Sequence, residues 1–495
     1  MPAVVPAQYE RLPPGTPTRA RTPSATSFPR VASAGRGANR PETLPIDLPT
    51  ALRLANADNL QVALAREQIR QALAHVEQTR ALWLPSIRGG ANYNRHDGSI
   101  QAVPGNQFNT SRGAFYSGLG AGGYGVASPM IPGVYANFHL TDAIFQPLAS
   151  RQFAAGRRRA ATAATNDALL EVSLAYLELL RANQDLAIAL RIRDDAQRIA
   201  EVTADYARTG QGLQADADRL RAELAIRRND VLRSEEARSV ASARLAQLLH
   251  IDPTVRLDPV EPTVVPIDLV PEQIELRELV AQGLSRRPEL AECRFLVGEA
   301  VQLLRRERFA PLIPSVLVGG SYGAMSSGIN GNLAAGAGRL DVDAVAYWEM
   351  RNLGLGEAAA RHGAQSAVRQ ARLRQLAAMD LVSREITEAH AQSEARRLRI
   401  AIGREGVEAA ANTYRSSLDR ILDARGLPLE ALQSIQALAQ ARREYLRTLI
   451  DYDAAQFTLY RAIGAPAGDS RQPASSRGPQ MGSSSSPTNS AIRGR

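Results

Sequence analysis

The sequence predicts a mixed α/β membrane protein, mainly α-helical, in which long antiparallel helical hairpins are joined to four transmembrane β-strands per chain. Three observations predict it. The phrase LPSIRGGANYN, Leu84 to Asn94, returns 229 positions later (85 to 314) as IPSVLVGGSYG, Ile313 to Gly323. Each copy follows a run rich in Ala, Arg, Glu, Gln and Leu and opens an alternation of apolar and polar residues, the period of a strand with one apolar face. Each alternation is then followed by a stretch almost free of Gly and Pro, long enough for helices far beyond the usual three turns.

Pro85 and Pro314 mark the change of character. A proline lacks the N–H a helix needs and disfavours α geometry for the residue before it, so both positions read as helix-to-strand junctions.

Residues 1–44 are rich in Pro, Arg, Ser and Thr without apolar periodicity and read as a disordered leader. Its first twenty residues show no basic segment followed by an apolar one, and no lipid-attachment cysteine, so no signal for export is read there. Repeat 1 spans 45–270. It holds a helix ending near Trp83, a strand over 86–94, a Gly/Ser/Asn/Pro-rich loop over 95–133, a strand over 134–142 and a helical hairpin over 152–249. Five prolines between Asp252 and Pro271 then make an extended connector. Repeat 2, 271–465, follows the same order: a helix from Leu276, strands over 315–323 and 341–350, and a hairpin over 357–463. Residues 466–495 read as a disordered tail.

The 59 basic residues are all arginine and the net charge is +9, but the arginines are interleaved with Asp and Glu along helices. That is no nucleic-acid surface. One cysteine, Cys293, excludes disulfides within the chain. The six histidines share no metal spacing, and no nucleophile or carboxylate pair stands out, so no catalytic residue, metal or cofactor is expected. Gly354-Leu355-Gly356-Glu357-Ala358-Ala359 fits a dinucleotide-binding pattern, yet a very long helix follows it instead of a short βαβ unit, and that reading is rejected.

No apolar run approaches the roughly 20 residues of a spanning helix, so any contact with a bilayer is made by strands. Four strands cannot close a barrel. Two chains would supply eight and three would supply twelve. The polar rows would be Arg88, Asn92, Asn94, Asn137, His139, Ser321, Asp341, Asp343 and Glu349, a lining suited to a water-filled lumen. A soluble coiled-coil scaffold with incidental strands is the alternative.

Several strings resemble the TolC-like outer-membrane efflux factors. They are ALRLANADNLQVALA from Ala51 with its second copy LVAQGLSRRPELA from Leu279, the two Pro-Ser junctions, YLELL at Tyr176, DADRLRAELA after the first helical turn, YWEMRNLGLGEAA and the closing QFTLYRAIG. The resemblance covers about 44–465 in order. It implies a homotrimer with a twelve-stranded barrel in outer-membrane lipid and a periplasmic helical tunnel. Such a duct is passive, not an enzyme, and serves tripartite efflux or type I secretion with a periplasmic adaptor and an inner-membrane pump. It also implies roles for particular residues. Gly210, Gly212, Leu213, Gly426 and Leu427 would be adaptor-docking tips. Glu430 and Gln433 occupy the places of a paired acidic constriction at the entrance, with Asp216 and Asp419 near them; Asp205, Asp218, Tyr206, Tyr414 and Arg415 lie close enough to link the hairpins.

Overall fold

The computed structural model describes residues 43–84, 86–87, 90–118, 135–327, 337–422 and 428–465. The repeat is visible in its helices. In repeat 1 the first helical run is two helices, α1 (Leu48–Asp58) and α2 (Leu60–Arg80). Asn59 breaks it: its Oδ1 accepts the N–H groups of Gln61 (2.8 Å) and Val62 (3.4 Å), capping α2, while its Nδ2 donates to the Leu248 carbonyl at 3.1 Å. Repeat 2 breaks at the equivalent place, between α5 (Leu276–Arg286) and α6 (Pro288–Phe309). There Pro288 opens the second helix, where its missing N–H costs nothing.

The strands differ from the sequence expectation. The first one does not give way to a loop at residue 95. Strands β2 (Ser86–Ile87) and β3 (Gly90–Gln101) are followed, after a short turn, by β4 (Gln107–Gly118) and β5 (Tyr135–His139), so most of the expected loop is a regular antiparallel ribbon. Its alternation was hidden because both faces of that ribbon are largely polar. β3 pairs with β4 and β2 with β5; β7 (Ser315–Ser327) then pairs with both β4 and β5, and β8 (Ala337–Tyr347) with β7. These make four strand lines. Ile87 faces Ala136 and Gly90 faces Gly118, three residues along one line against eighteen along the next. The other side agrees, with Gly319 facing Tyr135 and Tyr322 facing Ser117, so the second line carries fifteen extra residues between its halves.

Helix α3 (Leu140–Arg208) begins at the end of β5, twelve residues before the expected 152, and replaces the last positions of the expected strand 134–142. β8 likewise stops at Tyr347, short of the expected 350. Helix α4 (Gln214–Leu248) returns along α3, and α7 (Leu355–Leu422) and α8 (Pro428–Ala462) form the second hairpin. Side by side the long helices run α4–α3–α8–α7.

The connector crosses one face of this layer. Its strand β6 (Arg256–Pro259) pairs in parallel with β1 (Thr43–Ile46), so Thr43 and Leu44, within the expected leader, belong to a strand. Farther on, the N–H of Ile267 donates to Asp453 at 2.8 Å, and those of Leu269 and Val270 to Gln456 at 3.1 and 3.0 Å. Each repeat has its own apolar core at this level, one around Tyr176, Leu179 and Leu245, the other around Leu279, Ile386 and Leu459.

Candidate functional site

The first hairpin tip is built by its glycines. Thr209 caps α3, and Gly210 follows with φ +75°, a left-handed conformation that glycine adopts without a Cβ penalty. The Gln211 N–H reaches the Tyr206 carbonyl at 2.9 Å and the Gly210 N–H that of Ala207 at 3.2 Å, the paired bonds of a Schellman turn. Gly212 packs on Tyr206, where a Cβ would meet the Tyr206 Cβ at 3.3 Å. The turn leaves Leu213 69% exposed at the end of the hairpin. Gly426 and Leu427, the expected second tip, lie outside the described residues.

Above the tips the two hairpins are held together by Ile192, Ile199, Leu220, Ile421, Leu432 and Ile435, drawn from all four long helices. The Tyr206 hydroxyl donates across the hairpins to the Ile421 carbonyl at 3.1 Å. Tyr414 lies beside Asp195, and burial pushes its hydroxyl up to about 12. The expected entrance residues are engaged locally. Glu430 is met by Arg420 at 3.2 Å, and Asp216 by Arg219 at 4.0 Å, each within its own hairpin. Asp419 is exposed, as is Gln433 one turn on from Glu430.

Glu430 and Gln433 begin a polar stripe on α8 that continues through Gln440, Glu444, Arg447 and Asp451. At about 100° per residue this stripe lies on the opposite side of α8 from Tyr452, Asp453 and Gln456, which hold the connector. On the stripe side, a cavity of about 580 Å³ opens between α3, α4 and α8, lined by Arg181, Asp185, Arg227, Arg443 and Arg447. Burial raises the Asp185 carboxyl, with Arg181 and Arg443 opposing the shift.

In the strands, register sorts the positions into two rows. One row takes Ile87, Tyr93, Phe115, Ala136, Phe138, Val316, Val318, Tyr322, Leu340, Val342 and Ala344, apolar across all four lines. The other takes Asn92, Asn94, Asn137, His139, Ser321, Asp341 and Asp343, the polar positions the sequence singles out. Arg88 lies outside the described residues, and Glu349 falls beyond the end of β8. Among the described residues no helix is long and apolar enough to cross a membrane, and no group of three His, Cys, Asp or Glu gathers as a metal site.

No family model matches the chain. A stretch of 119 residues, 24% of the chain, is 36% identical to Protein CyaE of Bordetella pertussis and spans 24% of that protein's length. Solved structures match far more of the chain. The outer-membrane channel OprN superposes with a TM-score of 0.69 at 18% identity, over 84% of this chain and 90% of its own. The CmeC outer membrane channel of Campylobacter jejuni gives 0.69 at 14% identity, over 84% and 85%. The outer membrane protein VceC of Vibrio cholerae gives 0.67 at 15%, over 84% and 96%. The fold is that of the TolC-like outer-membrane channels.

In this TolC-like fold the second Pro-Ser phrase falls between α6 and β7. Pro314 directly precedes β7, whereas Pro85 is outside the described residues. An ionic chain that sequence reasoning missed braces this level. Asp142 at the start of α3 takes Arg306 at 2.6 Å; Arg306 contacts Glu307; Glu307 takes Arg351 at 3.0 Å; and Arg351 takes Glu357 at 3.1 Å. The glycines of the rejected dinucleotide pattern have a structural reason here. Gly354 has φ +90°, and a Cβ on Gly356 would stand 2.9 Å from the Arg351 carbonyl oxygen. Neither belongs to a nucleotide site, since α7 of 68 residues follows.

Proposed function

We propose that the chain is one protomer of a homotrimeric exit duct, an outer-membrane channel with a periplasmic extension that passively conducts substrates delivered by an inner-membrane pump through a periplasmic adaptor. The observation that carries the reading is a match of free edges. Among the described residues the sheet ends on β3 and β8 and the helical layer on α4 and α7, so both layers are open at both sides and need further copies to close. Three chains bring twelve strand lines.

Apolar side chains support closure of the helical layer. Leu232 and Val240 are exposed on α4, and Ile402 and Leu398 on α7. Measured from the tip ends of the helices, at 214 and 422, Leu232 and Ile402 lie about 27 and 30 Å up, and Val240 and Leu398 about 39 and 36 Å up. The two edges thus carry their apolar patches at matching heights. A neighbouring protomer would bury them against each other, at roughly 25 cal/mol per Å² removed from water.

Leu213 at the exposed tip fits adaptor docking, and Gly426-Leu427 is its expected counterpart. The Glu430 position, repeated about a threefold axis, would ring the entrance, tempered by its pairing with Arg420. Whether the duct serves tripartite efflux or type I secretion depends on the pump it meets.

Cell fractionation with cross-linking tests the reading. The expected result is a detergent-requiring trimer in the outer-membrane fraction that forms pores in planar bilayers. A monomer in the soluble fraction would overturn it in favour of a coiled-coil scaffold. Leu213→Glu should leave the trimer intact and weaken capture of the adaptor.

A further inference from the structure

The passage from strand to helix differs between the repeats. In repeat 1, β5 ends at His139 and α3 begins at Leu140. In repeat 2, seven residues, 348–354, stand between β8 and α7. Two of them that are not glycine adopt the left-handed region in succession, Asn352 at φ 51°, ψ 47° and Leu353 at φ 57°, ψ 32°. That conformation crowds the Cβ of an L residue, and leucine keeps it only where the surroundings hold it there. Here Glu357 accepts the Arg351 N–H at 2.7 Å, and the Arg351 guanidinium donates to Glu307 at 3.0 Å. Gly354 completes the turn with φ +90°. The braced loop leaves Leu353 92% exposed. Within one protomer a strained backbone thus presents a leucine to solvent, which stabilises nothing there.

The residues around this loop are apolar as well. Trp348 follows Leu340, Val342, Ala344 and Ala346 in period two, directly after the last residue of β8, so it comes next in the apolar row of the sheet. Leu340 to Trp348 is about 26 Å of strand, which at a tilt of about 40° covers most of an apolar band about 25 Å tall. Trp348 therefore stands at the helical border of that band, with its ring exposed and its Nε1 donating to the Leu312 carbonyl at 3.4 Å. Leu312 and Met350 are exposed at the same junction, and Trp83 and Leu84 are exposed at the corresponding place of repeat 1. Exposed arginines stand one helical turn before these residues, Arg80 before Trp83 and Arg308 before Leu312; Glu349 is the loop's own exposed carboxylate.

An apolar collar edged by cations matches the border of a phospholipid leaflet, with acyl chains on one side and phosphates on the other. Closing β8 on a further copy would set Trp83 and Leu84 of one protomer on the same border as Trp348 of the next, so the collar would run on around the barrel. We infer that this collar is a leaflet anchor. The 348–354 loop lies in the headgroup layer of the phospholipid leaflet at the helical end of the barrel, with Leu353 held out into lipid and Arg80 and Arg308 turned toward lipid phosphates. The strained turn sets the leucine in place beforehand, so little ordering remains when the loop meets the membrane. The inference rests on the outer-membrane duct reading.

The chain's two tryptophans, Trp83 and Trp348, both belong to the collar, so the fluorescence of the unaltered protein reports on it. In vesicles of phosphatidylethanolamine and phosphatidylglycerol, exchanging the acyl chains for brominated ones should quench most of that emission. Three bimane-labelled variants in a Cys293→Ser background extend the test: Leu353→Cys in the loop, Val342→Cys in the apolar row and Leu213→Cys at the hairpin tip. Brominated chains should quench the labels at 353 and 342 and leave the label at 213 unchanged. A quenched label at 342 with an unquenched label at 353 overturns the anchor and assigns the loop to contact with a second protomer. Unchanged tryptophan emission beside a quenched label at 342 overturns it equally. Labels at 342 and 353 that are both unquenched would instead sink the duct reading itself.

Discussion

The two repeats break their first helical run at the same place by opposite chemistry. In repeat 1 the break is Asn59, a neutral amide that caps α2 and reaches the Leu248 carbonyl, satisfying buried groups without placing a charge there. In repeat 2 it is Arg287, 3% exposed, whose guanidinium meets Glu289 at 3.0 Å and Glu385 at 2.9 Å. Arg461 joins the same carboxylates at 3.1 and 2.9 Å and adds Asp167 of α3 at 2.7 Å. Repeat 1 thus closes its break locally. Repeat 2 uses an ionic knot that reaches α6, α7, α8 and, through Asp167, the other repeat.

The largest effect should follow from untying that knot. Arg287→Ala leaves Glu289 and Glu385 with one cation fewer in a half-buried site. It should cost about 2–4 kcal/mol, below the value for a fully buried pair because both acids keep some water. Thermal unfolding of the detergent-solubilised protein would read this as a clear fall in Tm. An Arg287→Ala chain as stable as the parent would erase the contrast between the repeats.

The connector offers the second contrast. On the repeat 1 side it is held by the buried Tyr176 hydroxyl, which donates to the Glu261 carboxylate, and by Gln184, which donates to the Pro262 carbonyl at 2.7 Å. On the repeat 2 side it is held by Asp453, whose carboxyl burial pushes up to about 7, opposed by the Ile267 N–H and reinforced by Asp268. An unfolded aspartate titrates near 3.9. Between about pH 4 and 7 the folded chain therefore keeps a proton that the unfolded chain has lost, and stability falls as pH rises through that window. Asp453→Asn keeps an acceptor for Ile267 and should flatten this part of the Tm–pH curve. A slope that persists in the variant would assign the pH dependence elsewhere.

Asn59→Ala should come third, at about 1–2 kcal/mol for a lost cap and an unpaired Leu248 carbonyl. Scanning calorimetry on the two single variants would give the comparison directly. If Asn59→Ala proves more damaging than Arg287→Ala, the neutral break is the more costly one to lose and the ranking of the repeats reverses.

Much of this layout was legible in the sequence, because helix length, the repeated Pro-Ser phrase and period-two alternation are local signals. Val316, Val318 and Tyr322 alternate cleanly, and β7 was found. Residues 95–118 read as loop in the sequence because Arg95, Asp97, Ser99 and Gln101 stand in the row that Tyr93 occupies, so the alternation loses its apolar half there. The ionic knot left no local trace. Arg287, Glu385, Arg461 and Asp167 are widely spaced in the chain, and only the packing of α3, α6, α7 and α8 brings them together. The partners of Glu430 were hidden for the same reason: Arg420 approaches it only once the hairpin has turned.

The smallest expected effect lies farthest from the knot, at the tip of repeat 1. Gly210 occupies φ +75°, and an alanine there would pay about 1 kcal/mol for the left-handed conformation. Open space surrounds the position, so no clash adds to that cost. The turn sits beyond Ile199 and Leu220 of the core that joins the hairpins and reaches the second hairpin through the Tyr206–Ile421 hydrogen bond, so it can open with that core still packed. Gly210→Ala should therefore raise amide exchange around the turn, 209–213, while Tm stays within error of the parent. A global fall in Tm would mean that the tip is coupled to the core above it, and that the local, uncharged style of repeat 1 does not extend to its end.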